Sequence, residues 1–295
     1  MSTFSLIIRQ FINGLQLGSI YALVALGYSM VYGIMNLLNF AHGDIIMVGA
    51  YTIWIMTTQT AMPVWLSIIL TVAMCMVFGI VIEKVAYKPL RESPRISLLI
   101  TAIGVSYLLE NLAQLLFGAD TKSIPPFISN RQISLGEITV SSVSIVTIVT
   151  VAVTMVVLTF IVKKTRTGRA MRAVAEDLGA AQLMGVNVNR TISITFAIGS
   201  ALAGIGSVLY CSAYPQASPT MGSMLGLKAF VAAVLGGIGS IPGAMLGGFA
   251  IGLVEALVSA VGLSIWKDAV VFTILIVVLL VMPNGILGKK QTEKV

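Results

Sequence analysis

The sequence predicts an all-α fold, namely a polytopic integral membrane protein with about eight to nine transmembrane helices, some of them broken or re-entrant. Its 295 residues are 57% hydrophobic and only 10% charged, and its mean hydropathy is +0.99. Soluble domains carry about 25% charged residues, so this chain is too apolar to stay in solution. The short alternating segments typical of membrane β-barrels are absent from the sequence, and helices are the other structure that satisfies backbone polar groups in lipid.

The distribution of charge predicts which end of the bundle faces the cytoplasm. The formal net charge is +7, but the basic residues cluster in loops beside apolar runs, which is the positive-inside pattern and not a nucleic-acid groove. Loops at 83–95 and 163–190 and the tail at 289–295 are therefore expected inside. Three apolar runs precede the first basic loop, so parity puts the N-terminus outside unless the second run re-enters. Cys75 and Cys211 lie within apolar runs and predict no disulfide.

Most of the first half of the chain has the regular pattern of membrane spans. Helices that cross the membrane are expected at residues 11–33, 64–82, 96–117 and 139–162. Glu110 lies near the far end of the span at 96–117, so we expect its carboxylate to snorkel to the outer surface. An outer loop with little net charge is expected at 118–138.

The apolar run at 34–58 departs from this pattern. It holds polar residues where an ordinary span has aliphatic ones, namely Asn36, Asn39, His42 and Asp44. Polar groups at such depth are costly unless they face protein or water, so the run is predicted to be a broken helix. Either Asn39, His42 and Asp44 line a translocation path, or they satisfy one another at a helix–helix contact or lie at a membrane boundary. One histidine with one aspartate is too little for a metal site.

The loop at 163–190 is the one long polar interruption of the chain. Thr167 is expected to cap a helix, and Gly185 to end it. Between them an apolar stripe recurs at helical spacing, made of Met171, Val174, Leu178 and Ala181. Gly179 is expected to split or bend this helix. Arg172 and Glu176 lie on another face, and the segment either docks a cytoplasmic partner, lies in the headgroup layer, or is only a solvated loop.

The second half is rich in glycine. A span is expected at 192–210, with Gly199, Ala203 and Ser207 as a packing face, and another at 269–282. The segment GGIGSIPG at 236–243 cannot be a regular helix and is predicted to separate two shorter apolar segments. Overlapping GxxxG pairs that indicate close helix packing follow, formed by Gly243, Gly247, Gly248 and Gly252. Lys228 and Glu255 are ionisable residues in apolar surroundings and are expected to pair with each other.

The motifs that would mark an enzyme are absent from the sequence. It contains no GxxxxGK[ST], so the chain is not expected to hydrolyse nucleotide itself. It contains no HExxH and no CxxC, and no catalytic residue, resident cofactor or metal site is predicted. These absences leave a carrier, a channel, or the membrane subunit of a machine that is powered by another protein.

Several stretches resemble the permease subunit of bacterial high-affinity branched-chain amino acid ABC transporters. They occur in consistent order over nearly the whole chain: GSIYALVALGYSMVYG at 18–33, NFAHGD at 39–44, EKVAYKP at 83–89, RAMRAVAED at 169–177, KAFVAAVLGGIGSIPG at 228–243 and MPNGILG at 282–288. The resemblance implies that residues 1–295 form a single transmembrane permease domain in the bacterial cytoplasmic (inner) membrane. It also implies a translocation path for branched-chain or other hydrophobic amino acids, with Asn39, His42, Asp44 and Lys228 as candidate path residues.

The resemblance further implies a set of partners. These are a second related permease, two cytoplasmic ATP-binding subunits that use the ATP, and a periplasmic or extracellular solute-binding protein. The loop at 163–190 would then be the coupling loop that docks on an ATP-binding subunit, through Arg172, Glu176, Leu178, Ala181 and Gly185. The general importer signature in such loops is EAA followed three residues later by Gly. Here Ala180, Ala181 and Gly185 match that signature and the leading Glu is missing, which leaves the docking register open.

Two other classes of transporter remain open at this point. An ion-coupled secondary amino-acid carrier also uses broken helices, but it needs an ion site, and the sequence offers only the scattered Asp44, Lys228 and Glu255. A passive channel would need no more polar residues than the chain has. Related permeases carry urea or short amides, so the resemblance defines the machine more firmly than the substrate.

Overall fold

The computed structural model describes residues 3–35, 37–60, 62–91, 93–135 and 138–288, and most of these residues are helical. The α-helices of the described residues are α1 (Thr3–Met35), α2 (His42–Thr58), α3 (Val64–Ile82), α4 (Arg95–Phe117), α5 (Ser142–Lys164), α6 (Arg166–Glu176), α7 (Leu178–Leu183), α8 (Val188–Ala213), α9 (Met221–Gly236), α10 (Ile241–Ala260) and α11 (Lys267–Val281). A π-helical turn (Glu83–Tyr87) and a 3-10 turn (Lys88–Leu90) extend α3, and a second 3-10 turn (Ser264–Trp266) precedes α11.

Short strands occur only in the connections of the described chain. They are β1 (Lys122–Ser123), β2 (Gln132–Leu135), β3 (Ile138–Ser141) and β4 (Gln216–Ala217). β1 pairs with β4 and β2 pairs with β3, in both cases antiparallel. The loop predicted at 118–138 is thus a small β-structured connection that also touches the turn after α8.

The predicted class of polytopic membrane protein is confirmed. Seven helices of the described chain are long and apolar enough to cross a membrane: α1, α3 with the turns that extend it, α4, α5, α8, α10, and α11 together with the 3-10 turn before it, as a helix of 18 residues from Ser264 to Val281. α2 has 17 residues and α9 has 16, less than the roughly 20 that a full crossing needs. These two shorter helices are the ones that adjoin the predicted interruptions of the chain.

The two basic loops lie at the same end of the bundle, which we call the basic end. Arg91 in the first loop donates from Nη1 to Asn189 Oδ1 at the start of α8, at 2.6 Å. Tyr87, at the same end, donates to the Asn39 side chain between α1 and α2, at 2.7 Å. α1 therefore ends at the basic end and, as one helix of 33 residues, begins at the opposite end. This direction agrees with the outward N-terminus expected from the charge pattern.

The core is built around α1. Its central residues from Ile20 to Leu26 are at most 3% exposed. α10 crosses α1 at backbone distance, since a methyl group on Gly252 would lie 2.2 Å from the backbone nitrogen of Gly18. The GxxxG residues thus pack as predicted, but on two faces: Gly248 and Gly252 face α1, whereas Gly247 faces the α9 backbone at Ala232.

The glycine-rich break between α9 and α10 is closed by a distant part of the chain. Gly237 and Gly239 have φ angles of 103° and 86°, which only glycine adopts without strain. The backbone nitrogens of Ile286 and Leu287 donate to the carbonyls of Leu235 and Gly236, each at 2.9 Å. The segment after α11 therefore donates hydrogen bonds to the last carbonyls of α9. We call this contact of Ile286 and Leu287 with Leu235 and Gly236 the C-terminal clamp.

Several local expectations are wrong. The cap of α6 is Thr165, whose hydroxyl accepts from Gly168 N, and not Thr167. The helix of the basic loop splits at Asp177, not at Gly179, because the Asp177 carboxylate accepts from Ala180 N and begins α7. Glu110 does not snorkel to the surface; it is 8% exposed and accepts a hydrogen bond from Ser223 in α9. Asn36 and the tail at 289–295 lie outside the described residues.

Candidate functional site

The break between α1 and α2 buries Asn39, and the first turn of α2 buries His42 and Asp44. The chain leaves α1 after Met35 and turns into α2 at His42. Asn39, between the two helices, is 2% exposed, and its Oδ1 accepts the hydrogen bond from Tyr87. The polar groups of the break thus face protein, as the cost of burying them in lipid requires.

His42 lies inside the bundle, in space that is free because Gly27 has no side chain. Its imidazole is 1% exposed and packs edge-on against Tyr28, with ring centroids 4.8 Å apart. A methyl group on Gly27 would lie 2.3 Å from His42 Nε2. The glycine therefore makes the space that the imidazole occupies.

Asp44 lies where α2 meets α9. Its side chain is 1% exposed, and the helices touch through glycine, since a methyl group on Gly222 would lie 2.9 Å from Asp44 Oδ1. The buried Glu110 of α4 contacts the next residue of α9, Ser223. Asn39, His42 and Asp44 thus all lie at or just before the start of α2, and all three side chains are buried within this chain.

Lys228 belongs to a separate charged cluster. Its Nζ lies 2.6 Å from Glu255 Oε1 and 2.6 Å from Asp268 Oδ1. Tyr21 donates to Glu255 Oε2 at 2.9 Å. The predicted pairing of Lys228 with Glu255 is confirmed, but Asp268 and Tyr21 complete the cluster. Sequence alone does not report the distance between these elements, so only the polar character of Asp268 and Tyr21 could have indicated that they join the cluster.

A polar cavity of about 340 Å³ adjoins this cluster at the end opposite the basic loops. Its polar lining comprises Gln10, Asn13, Gln16, Tyr214, Glu255, Ser259 and Lys267. Burial and the nearby Glu255 carboxylate raise the pKa of the Tyr214 hydroxyl, which therefore stays neutral at physiological pH. Asn39, His42 and Asp44 do not line this cavity. The spacing of the three amides along α1 was the signal that sequence reasoning missed.

The loop at 163–190 buries part of its apolar stripe and exposes the rest. Met171, Val174 and Ala181 are at most 4% exposed, whereas Leu178 is 49% exposed. Leu178 leaves the stripe because the helix breaks at the residue before it. Gly185, with a φ of 80°, ends the segment as predicted.

The exposed face of α7 was only partly predicted. Leu183 and Met184 are 90% and 84% exposed, and neither was singled out from the sequence. Arg172 and Glu176 are exposed on α6, where Arg172 Nη1 donates to the carbonyl of Val162. We call Leu178, Leu183 and Met184 the α7 surface. Among the described residues, no group of three or more potential metal ligands occurs.

Comparison with known proteins gives matches over nearly the whole chain. The family model described as "Branched-chain amino acid transport system / permease component" matches residues 10–279. The high-affinity branched-chain amino acid transport system permease LivH of Escherichia coli K12 is 44% identical over 98% of this chain and 97% of its own length. BraD of Pseudomonas aeruginosa, a permease of the same description, is 44% identical over 98% of each chain.

A more distant relative extends the match. The probable branched-chain amino acid transport permease LivH of Methanocaldococcus jannaschii is 27% identical over 92% of this chain and 89% of its own length. No solved structure is similar enough to this chain to be compared with it. With its apolar helices, the chain is a multi-pass protein of the bacterial cytoplasmic membrane. It belongs to the family of permease components of branched-chain amino acid transport systems.

Proposed function

We propose that this chain is the permease subunit of an ABC importer and forms part of the translocation path for branched-chain amino acids. The observation that carries this proposal is the match over 98% of the chain to permeases of that description. The chain has no phosphate-binding loop of its own, so ATP is hydrolysed by two cytoplasmic partner subunits. A second related permease completes the path, and an external solute-binding protein delivers the amino acid.

The loop at 163–190 is the coupling loop in this proposal, and the α7 surface is its docking element. Leu183 and Met184 lie in a basic loop and not in a membrane span, so their exposure of 90% and 84% costs free energy unless a partner covers them. Ala181, at 4% exposure, instead anchors α7 to its own chain. Docking therefore involves Leu178, Leu183 and Met184, with Arg172, Glu176 and Gly185 at the margin.

The test is ATP-driven uptake by the complete complex in proteoliposomes. We expect uptake of leucine that requires ATP inside and the binding protein outside, and that does not respond to an imposed ion gradient. In Leu183→Asp, a carboxylate would be buried against the partner without compensation, which costs several kcal/mol. We expect this variant to insert normally but to lose most of its bound ATP-binding subunit and its uptake.

Ala175→Asp is the matched control, because Ala175 is exposed on the neighbouring α6 and also receives a carboxylate. Co-purification of the ATP-binding subunit with each variant gives the comparison. Uptake that is driven by an ion gradient without ATP would contradict the importer. Equal retention of the subunit by both variants would contradict only the docking role of the α7 surface.

We also place Asn39, His42 and Asp44 along the path. A zwitterionic amino acid needs a polar route, because its two charges are costly to move into hydrocarbon. These side chains are at most 2% exposed, so access requires a change of conformation. In a variant without Cys75 and Cys211, we expect His42→Cys to resist a small water-soluble thiol reagent at rest. It should react when nucleotide drives the cycle.

Ser207→Cys is the control for this labelling. Ser207 is also fully buried, but it donates to Ile46 O at 2.8 Å in a contact between α8 and α2. It should stay unreactive in every nucleotide state. If His42→Cys and Asn39→Cys behave as Ser207→Cys does, the break is a sealed packing joint and the path lies elsewhere.

A further inference from the structure

The polar cavity beside Lys228 lies at the end of the bundle where an incoming amino acid would enter. α1 begins there, α8 and α10 end there, and α11 starts there with Lys267. The basic loops mark the opposite end as cytoplasmic. The cavity volume of about 340 Å³ falls within the range of small-molecule sites, about 300–1,000 Å³.

The lining of the cavity presents groups of both signs. Glu255 is 2% exposed and shares Lys228 with Asp268, so two carboxylates face one ammonium in the cluster. Lys267 also lines the cavity and is half-buried, yet it makes no ion pair with any other described residue. The cluster therefore leaves an excess of negative charge near Glu255, and Lys267 supplies an unpaired positive charge.

The neutral part of the lining is equally unusual for a membrane helix. Gln10, Asn13 and Gln16 repeat at intervals of three and lie on one face of α1. Lipid does not solvate such amides, so each of them needs a hydrogen-bond partner from the protein, from water or from a polar ligand. The Gln16 side chain oxygen accepts from Ser144, which fixes one wall of the cavity.

We infer that this cavity binds the zwitterionic head group of the amino acid before it enters the path. The ammonium of the ligand is attracted by the carboxylate excess at Glu255, and its carboxylate by Lys267. The amides of Asn13 and Gln10 replace water around both groups. The inference rests on the proposed function and assigns it an outer binding site, separate from the break at α2.

Protection from thiol labelling tests this site without any need for uptake. The permease carries Asn13→Cys, lacks Cys75 and Cys211, and is assembled with its partner subunits in proteoliposomes. Asn13 is exposed, so the thiol should react with a small water-soluble reagent from outside. We expect saturating free leucine to slow the reaction at least about fivefold. 4-Methylpentanoate, without the amino group, and isopentylamine, without the carboxylate, should each protect far less.

Two further variants make the result specific. Val261→Cys, at the same end but outside the cavity and 75% exposed, should react at the same rate with and without leucine. Lys267→Gln, combined with Asn13→Cys, should raise the leucine concentration needed for half-maximal protection about tenfold. Lys267→Arg should restore it, because the positive charge is retained.

Each other outcome overturns the inference. Protection by the binding protein but not by free leucine would make the cavity a docking surface for that protein. An unreactive Asn13→Cys would mean that the cavity is closed to water. If the wild-type complex takes up leucine normally and leucine gives no protection, this site fails while the proposed function stands; absence of ATP-driven uptake is the separate failure of the function.

Discussion

Gly252→Ala is expected to lower the yield of folded permease severely, although it adds only a single methyl group. That methyl would lie 2.2 Å from the backbone nitrogen of Gly18 and 2.3 Å from its Cα. Backbone atoms cannot rotate away as a side chain can, so α1 and α10 must separate. Overpacking costs about 1–3 kcal/mol and occasionally more, which exceeds the gain of about 1 kcal/mol from replacing glycine in a helix. The yield of monodisperse protein and its thermal unfolding temperature measure the effect.

Gly104→Ala is the matched control in α4. Apart from the adjoining residues of its own helix, no atom lies within 4 Å of the position of its added methyl group, so only the gain in helix propensity remains. We expect an unchanged or slightly raised unfolding temperature. If Gly252→Ala behaves in the same way, the close crossing of α1 and α10 is misplaced.

Lys228→Met is expected to destabilise the permease by about 3–5 kcal/mol, because it leaves the Glu255 and Asp268 carboxylates without their shared cation. Glu255 is 2% exposed and has little access to water. The double variant Lys228→Met/Glu255→Gln removes the buried charge as well, so it should recover a substantial part of the loss. Thermal unfolding in detergent of the purified wild-type permease, the single variant and the double variant gives the three stabilities to be compared.

Lys88→Met is the control that replaces a lysine by methionine where the lysine makes no buried ion pair among the described residues. Lys88 is exposed at the basic end, and we expect a change within about 0.5 kcal/mol. A double variant that is less stable than Lys228→Met alone would show that Glu255 is stabilised by groups other than Lys228.

The sequence was sufficient for features that depend on local chemistry. The start of α3 agrees with the span predicted at 64–82 because Pro63 precedes it. Its α-helical part ends at Ile82 as predicted, but a π-helical turn continues the helix through the charged Glu83 and Lys84. The break after α9 was predictable because its glycines leave no regular helix. The Lys228–Glu255 pair was predictable because neither charge is stable alone in apolar surroundings.

Other features depend on contacts between distant segments, which periodicity does not report. The helix of the basic loop breaks at Asp177 and not at Gly179 because the Asp177 carboxylate caps α7. As a result of this break, Leu178 does not lie in the buried apolar stripe with Met171, Val174 and Ala181. Glu110 is buried because α9 supplies Ser223 as its donor. The polar cavity joins α1, α8, α10 and α11, so no single stretch of sequence indicates it.

The C-terminal clamp has a consequence for how the chain matures during synthesis. α9 is made before α11, yet the carbonyls of Leu235 and Gly236 receive their donors only from Ile286 and Leu287. Leu235 is 4% exposed and Gly236 is buried, so these carbonyls lack partners until the last of these residues has left the ribosome. An unsatisfied backbone group in apolar surroundings costs several kcal/mol. A chain that stops before residue 286 is therefore expected to lack both hydrogen bonds and to leave the end of α9 open beside the glycine-rich break.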